Sequence, residues 1–159
     1  MFSPTRIPKE EALRKIKSFC SYQERSHKEV KDKLYSYHLF KSEVEEILAL
    51  LIEDNFLNEE RFAKQFAGGK FRMKHWGRRK IQYELEQRGV NKANIKIGLK
   101  EIEEEVYYST LKMLALKKWT ELKDANKLAK QAKTYAYLLQ KGYEQPLIAE
   151  VLGELTKTK

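Results

Sequence analysis

The residues best suited to bind a ligand form a basic run in the middle of the chain. From Arg61 to Tyr83 the sequence has eight Lys or Arg and no Asp or Glu, whereas Ser42–Glu60 has seven acidic residues and no basic one. The eight cations are Arg61, Lys64, Lys70, Arg72, Lys74, Arg78, Arg79 and Lys80. Because the formal net charge of the whole chain is only +9, so much positive charge in one window predicts a polyanionic partner.

Residue types used in catalysis or metal binding are few and scattered. The three histidines share no metal-ligand spacing with the single cysteine, Cys20. Cys20 falls on an apolar helix face and is predicted to be a buried, inert thiol. Gly68-Gly69 is not followed by the Gly-Lys-Ser/Thr of a phosphate loop. The carboxylates of Glu103–Glu105 are not expected to form a metal site, because neighbouring residues point in different directions on a helix. We therefore predict no enzyme activity, no cofactor and no metal site.

The elements that position the basic run are predicted to be helices throughout, so the fold class is all-α. Apolar residues recur at helical spacing and no segment alternates as a strand would. Ser26 with Glu29 and Ser42 with Glu45 match capping boxes, and Asn58 is suited to cap the helix that carries the first cations. Near the end of the chain we expect helices at Lys123–Lys141 and Pro146–Leu155, with Gly142 ending the first of them. No residue between Lys100 and Trp119 marks a helix end.

A repeat appears when the segments are shifted by about fifty residues. Leu39, Val44, Leu48 and Leu51 align with Val90, Ile95, Leu99 and Ile102, and again with Tyr143, Ile148, Leu152 and Leu155. Leu34, Leu85 and Leu138 fall in the same register, as do Gly89 and Gly142, with His38 in the glycine position of the first unit. The pattern predicts three tandem three-helix units at residues 9–54, 58–104 and 105–155, forming an elongated, curved body.

The central unit has a helix, a tight corner at Trp76-Gly77 and a second helix that begins at Arg78-Arg79-Lys80. We expect Phe62, Phe66 and Met73 to face the core, and Gly68 to let a partner approach the backbone. Cations at a helix N-terminus oppose the helix dipole, so we interpret them, with the free N–H groups there, as a phosphate or carboxylate site. Arg72, Arg78 and Arg79 are predicted to converge on one anionic surface. Trp76 is interpreted as a packing anchor rather than a base-stacking platform.

The order and spacing of these motifs resemble those of one protein family. Leu57-Asn58-Glu59-Glu60-Arg61-Phe62-Ala63, followed by Trp76-Gly77, Lys80-Ile81, Glu84-Leu85 and Arg88-Gly89-Val90, is similar to the central repeat of RecX proteins. Arg25–Val30 with Lys33-Leu34 resembles their first repeat. Two positions depart from the family pattern, because Asn55 and His38 stand where glycine is usual, and the third repeat matches weakly. Asn tolerates the left-handed conformation that such a turn needs.

The resemblance implies a non-enzymatic regulator of the RecA recombinase. RecX proteins are curved arrays of three-helix units that lie in the groove of the RecA filament on single-stranded DNA and limit filament growth, ATP hydrolysis and strand exchange. The eight cations would then contact the filament. Two alternatives stay open: direct binding of DNA or RNA through the Arg61–Lys80 strip, and a helical scaffold on which the strip is merely solvated.

Further expectations concern the setting of the protein. The longest apolar stretch, Ile47–Ile52, is far shorter than the roughly 20 residues that cross a bilayer, and the N-terminus lacks the pattern of a secretory signal. We expect a cytoplasmic, bacterial protein with no membrane partner. No long heptad seam is evident, so a monomer is expected.

Overall fold

The structure is a computed structural model that describes residues 6–123 and 126–157. Within these residues the chain forms nine α-helices and no strand, which confirms the predicted all-α class. The helices are α1 (Lys9–Tyr22), α2 (His27–Tyr35), α3 (Lys41–Glu53), α4 (Glu59–Lys74), α5 (Arg78–Gln87), α6 (Lys92–Leu99), α7 (Glu104–Glu121), α8 (Lys127–Lys141) and α9 (Gln145–Lys157).

One compact unit comprises the described residues up to Gln65 together with Leu85–Gly98. In it α1, α2 and α3 pack against one another. Their shared core includes the fully buried side chains of Ile16, Leu34 and Ile47. Burying one such side chain stabilises the folded state by about 1.5–3 kcal/mol relative to leaving it in water.

The other compact unit comprises Phe66–Glu84 and the described residues from Leu99 onward. Here α7, α8 and α9 pack against one another. Tyr107 and Leu111 of α7, Leu138 of α8 and Ile148 of α9 are fully buried, as is Tyr143 in the turn between α8 and α9. The chain passes from one unit to the other inside α4, inside α5 and at the end of α6. The two halves of α4 therefore bury their side chains in different surroundings.

The three-unit register is confirmed by burial and by backbone geometry. Leu34, Leu85 and Leu138 are all completely buried. The positions aligned as glycine-like all have positive φ angles: 64° at His38, 76° at Gly89 and 104° at Gly142. Asn55 has a φ of 63°, so it takes the left-handed conformation expected of it. The unit boundaries at 9–54, 58–104 and 105–155, and the elongated, curved outline, stay predictions.

Of the three helix starts predicted from capping residues, two are confirmed and one is wrong. Ser26 and Glu29 form the expected capping box, since each side chain accepts a hydrogen bond from the other residue's backbone N–H. Asn58 caps α4 by accepting from the Arg61 N–H at 2.9 Å. The predicted box of Ser42 and Glu45 is wrong. The helix α3 begins two residues earlier, at Lys41 with Phe40 as its N-cap, and the Glu43 carboxylate accepts from the Phe40 N–H at 3.0 Å.

Two helix boundaries in the second half of the chain also differ from the expectation. The helix expected from Lys123 begins at Lys127, because the Asn126 side chain caps it by accepting from the N–H groups of Leu128 and Ala129. The unmarked boundary after Lys100 is a short turn between α6 and α7. Ile102 lies in that turn and is buried, which fixes the turn without a glycine or proline.

Candidate polyanion-binding surface

The corner between α4 and α5 is a tight turn held from the α8–α9 side of the same unit. His75 has a φ of 57°, a left-handed conformation that the sequence analysis did not anticipate. The Tyr143 hydroxyl donates to the His75 carbonyl oxygen at 2.8 Å, and the Lys141 ammonium donates to the Lys74 carbonyl oxygen at 2.8 Å. These bonds satisfy the last carbonyls of α4, which have no partner within their own helix.

The N–H groups at the start of α5 are not free, so the anion site predicted from them is wrong. The Gly77 N–H donates to the Lys141 carbonyl at 2.8 Å and the Arg79 N–H to the Gly142 carbonyl at 2.9 Å. The Arg78 N–H donates to the Tyr107 hydroxyl at 2.9 Å. The C-terminal carbonyls of α8 thus satisfy the N-terminal donors of α5, and the two helix dipoles meet with opposite signs.

This contact requires glycine at Gly77. A Cβ atom there would lie 2.3 Å from the Gly142 carbonyl carbon, and backbone atoms cannot move aside as the end of a side chain can. Gly142 is equally constrained, because a Cβ would lie 2.4 Å from the Lys80 Cβ and its φ of 104° is strained for other residues.

Two of the predicted cations, Arg61 and Lys64, belong to the first compact unit and already have partners there. The Arg61 Nε donates to the Glu24 carboxylate at 2.6 Å, and its guanidinium also donates to the Asn55 carbonyl at 3.1 Å. The Lys64 ammonium lies 3.3 Å from the Glu60 carboxylate one turn away. Arg61 therefore ties the start of α4 to its own unit.

Arg78 is also committed to the fold. Its guanidinium lies over the Tyr107 ring, 3.9 Å from the ring centroid, and pairs with the carboxylates of Glu104 at 3.0 Å and Glu144 at 3.5 Å. The side chain is 25% exposed. The Tyr107 hydroxyl donates to Glu144 at 2.5 Å, and burial, followed by this hydrogen bond, raises the pKa of Tyr107 far above its ordinary value. Arg78 thus stabilises a buried polar network.

The other predicted cations of the corner have no carboxylate partner within residues 6–123 and 126–157. Arg72, Lys74 and Arg79 are exposed, and none forms an ion pair with any residue in the described part of the chain. The ammonium groups of Lys70 and Lys80 lie over the Trp76 ring, 5.2 and 4.7 Å from its centroid.

Trp76 fits the interpretation as a packing anchor. It is half-buried, and its ring meets Phe66 edge to face with centroids 6.3 Å apart. Since two ammonium groups already lie over the ring, a nucleic-acid base would have to displace one of them to stack there.

Two expectations about α4 are wrong. Met73 is 84% exposed rather than buried, and Phe71 lies in the core instead, because the second half of α4 packs in a different unit from Phe62. Gly68 does not offer open backbone, since the Arg72 guanidinium lies over it, 2.7 Å from the place of a Cβ atom. The open glycine is Gly69, where a Cβ would meet nothing within 4 Å.

The structure adds one cation that the sequence analysis did not assign to the corner. Lys141, at the end of α8, lies beside Lys74 and Lys80, and the three together are called the lysine cluster below. Burial and the nearby charges of Lys80 and Lys74 lower the pKa of Lys141. The only sequence signal was its place next to Gly142, at the end of a stretch, residues 112–141, that is rich in lysine.

The described residues contain no group of three His, Cys, Asp or Glu side chains placed to hold a metal ion. Cys20 is buried, as predicted, and burial raises the pKa of its thiol, which keeps it in the less reactive protonated form. Glu103–Glu105 are exposed. No helix in the described part of the chain is long and apolar enough to cross a membrane.

Comparison with known proteins agrees with this architecture. Residues 58–99 match the family model described as RecX, second three-helix domain, and residues 105–152 match RecX, third three-helix domain. The fold is similar to that in the crystal structure of RecX from Lactobacillus salivarius, with a TM-score of 0.85 and 24% identity, covering 93% of this chain and 96% of that one.

Curated relatives carry the name "Regulatory protein RecX". The protein from Clostridium botulinum (strain Eklund 17B / Type B) is 33% identical over 134 residues, covering 82% of this chain and 61% of the relative. The protein from Chlorobium limicola is 28% identical over 151 residues, covering 94% of this chain and 92% of the relative. The chain thus spans less than two thirds of the length of some clostridial relatives, including 64% of the one from Clostridium perfringens strain 13. The matched three-helix domains and these relatives together establish that the chain belongs to the RecX family of regulatory proteins.

Proposed function

We propose that this protein is a non-enzymatic regulator of the RecA recombinase. It binds in the groove of the RecA filament on single-stranded DNA and limits filament growth, ATP hydrolysis and strand exchange. It acts in the bacterial cytoplasm as a monomer. The family supports the regulatory role, and the unpaired cations of the α4–α5 corner support a polyanionic target such as a protein–DNA filament.

The observation that carries the proposal is the state of Arg72 and Arg79. Both guanidinium groups are exposed, and neither forms an ion pair with a described residue, so both can bind an external anion without breaking the fold. The arginine fork suits carboxylates and phosphates alike. Arg78, which the sequence analysis grouped with them, is left out because it stabilises the Tyr107 network.

The test is RecA-dependent ATP hydrolysis on single-stranded DNA, with the protein titrated in. Changing Arg72→Glu and Arg79→Glu together should leave thermal melting nearly unchanged, because charges on solvated faces contribute little to stability. The same change should remove the inhibition. The matched control is Arg14→Glu with Lys31→Glu, which changes the net charge equally at exposed positions of α1 and α2.

A double variant at the corner that melts normally and still inhibits like the control would contradict this surface as the binding site. A wild-type protein with no effect on RecA at any concentration would contradict the proposed function itself.

Direct binding of DNA or RNA without RecA is the second candidate. It is favoured by the ammonium groups of Lys70 and Lys80, which lie together at Trp76 and have no carboxylate partner among the described residues. Binding that needs no RecA, with the RecA reaction unaffected, would favour this candidate.

A further inference from the structure

The lysine cluster brings together charges that are distant in the sequence. Lys74 ends α4, Lys80 lies in the first turn of α5 and Lys141 ends α8. The contact between them is built, because the Lys141 ammonium donates to the Lys74 carbonyl and the backbone of Gly142 packs against Lys80. These contacts hold the backbones of Lys74, Lys80 and Lys141 near one another and fix the Lys141 ammonium beside Lys74, so the three charges share one part of the surface.

No anion within the described residues balances this charge. None of the three ammonium groups forms an ion pair there. Two helix C-termini, those of α4 and α8, contribute roughly half a negative charge each, and the N-terminus of α5 contributes roughly half a positive charge. Helix dipoles thus offset only about half a unit of the three positive charges, and a large excess is left.

The unbalanced positive charge changes the pKa of one member of the lysine cluster. Lys141 is part-buried, and the charges of Lys80 and Lys74 join burial in lowering its pKa. Neighbouring like charges destabilise the folded chain, so an external anion that neutralises several of them at once would bind favourably.

We propose that the lysine cluster of Lys74, Lys80 and Lys141 binds consecutive phosphates of single-stranded DNA. Lysine is a compact point charge that suits phosphate oxygens, whereas protein interfaces are depleted in lysine and enriched in arginine and aromatic residues. Phosphate contacts carry no base preference, and Trp76 already has two ammonium groups over its ring. The cluster therefore holds the backbone of the strand and leaves its bases unread.

The inference rests on the proposed function only in that it names single-stranded DNA as the ligand of the lysine cluster. Its test uses DNA without RecA, so either proposal can fail while the other stands.

The test measures the affinity of the full chain for a dye-labelled oligo-dT of about 20 nucleotides, longer than usual single-strand sites, over about 50 to 200 mM salt. The variant combines Lys74→Gln, Lys80→Gln and Lys141→Gln. The control combines Lys31→Gln, Lys100→Gln and Lys117→Gln, three exposed lysines elsewhere. Removing three phosphate contacts should make the slope of log affinity against log salt less negative by about 2. The control should change it by less than about 0.7, the value of one contact.

A second measurement on the wild-type protein covers the case in which the cluster variant does not fold. Bound oligo-dT should protect Lys74, Lys80 and Lys141 from acetylation, read by mass spectrometry, while Lys31, Lys100 and Lys117 react as in the free protein. Equal protection of both sets, or equal slopes for the two triple variants, overturns the proposal. So does a folded cluster variant that keeps its affinity for DNA and loses binding to DNA-free RecA, because the cluster would then bind a protein surface.

Discussion

Arg78 and Lys80 lie two residues apart in the first turn of α5, yet their surroundings are opposite. Arg78 lies over the Tyr107 ring between two carboxylates, in a network whose donors and acceptors are nearly all used. Lys80 lies over Trp76 and near Lys74 and Lys141, with no carboxylate partner in the described residues. Neighbouring cations in a basic run can therefore stabilise the fold or remain available for a ligand, and only their partners distinguish the two.

The difference between Arg78 and Lys80 depends on the backbone contact between the end of α8 and the start of α5. The substitution Gly77→Ala should break this contact. The added Cβ would lie 2.3 Å from the Gly142 carbonyl carbon, where no side chain can rotate away. We expect the free energy of unfolding, from urea titration, to fall by about 3 kcal/mol, the upper end of the usual cost of overpacking.

Gly69→Ala is the matched control in the same compact unit. Its Cβ meets nothing within 4 Å, and alanine is the better helix former, so this change should stabilise by about 0.5–1 kcal/mol. A Gly77→Ala protein as stable as the wild type would mean that the contact between α5 and α8 is looser than the structure has it.

Changing Arg78→Gln and Arg79→Gln separately sharpens the difference between the two kinds of cation. Without Arg78, Glu144 and Glu104 lose their cationic partner and the Tyr107 ring loses the guanidinium packed on it, so we expect a loss of about 1–3 kcal/mol. Arg79 has no ion pair among the described residues, so its replacement should change stability by less than about 0.5 kcal/mol.

Urea unfolding of both variants at the same pH and salt gives the measurement. Equal effects would remove the distinction between a structural cation and an available one.

The buried tyrosines of the corner, Tyr107 and Tyr143, should make the stability of the folded chain depend on pH in the alkaline range. Burial raises the pKa of Tyr143 and Tyr107 far above the ordinary value of about 10. Above pH 10 the unfolded chain loses these protons while the folded chain keeps them, so stability is present below that pH and falls as the pH rises through it. Each such group contributes a slope of up to about 1.4 kcal/mol per pH unit.

Thermal melting between about pH 9 and 11 should therefore fall less steeply for Tyr143→Phe than for the wild type. Tyr83→Phe, a change at a tyrosine that is 56% exposed, should leave the wild-type slope unchanged. The interpretation would be abandoned if the two variants lost stability in parallel.

The sequence predicted what depends on near neighbours along the chain. Helical spacing placed Leu34, Leu85 and Leu138 in the core, and the repeat identified the left-handed positions at Gly89 and Gly142. These features follow from residues a few positions apart, and a single sequence displays that spacing directly.

The features that the sequence missed depend on distant partners. The donors at the start of α5 appeared free because their acceptors, Tyr107 and the carbonyls of Lys141 and Gly142, come from α7 and the end of α8. Lys141 was not assigned to the corner for the same reason. Arg78 was interpreted as a binding residue because its partner Glu144 follows α8 and is therefore distant from Arg78 in the sequence. No local pattern carries that information.

The bonds that close the corner also set an order of events during synthesis. Tyr143 and His75 are 68 residues apart, and Lys141 and Lys74 are 67 apart. At ribosomal rates of about 5–20 residues per second, α4 and the start of α5 wait roughly 3–14 s after leaving the ribosome before their partners emerge. Contacts of such long sequence separation slow folding, so closure of this corner comes late, and a nascent chain released before Gly142 has no means of completing it.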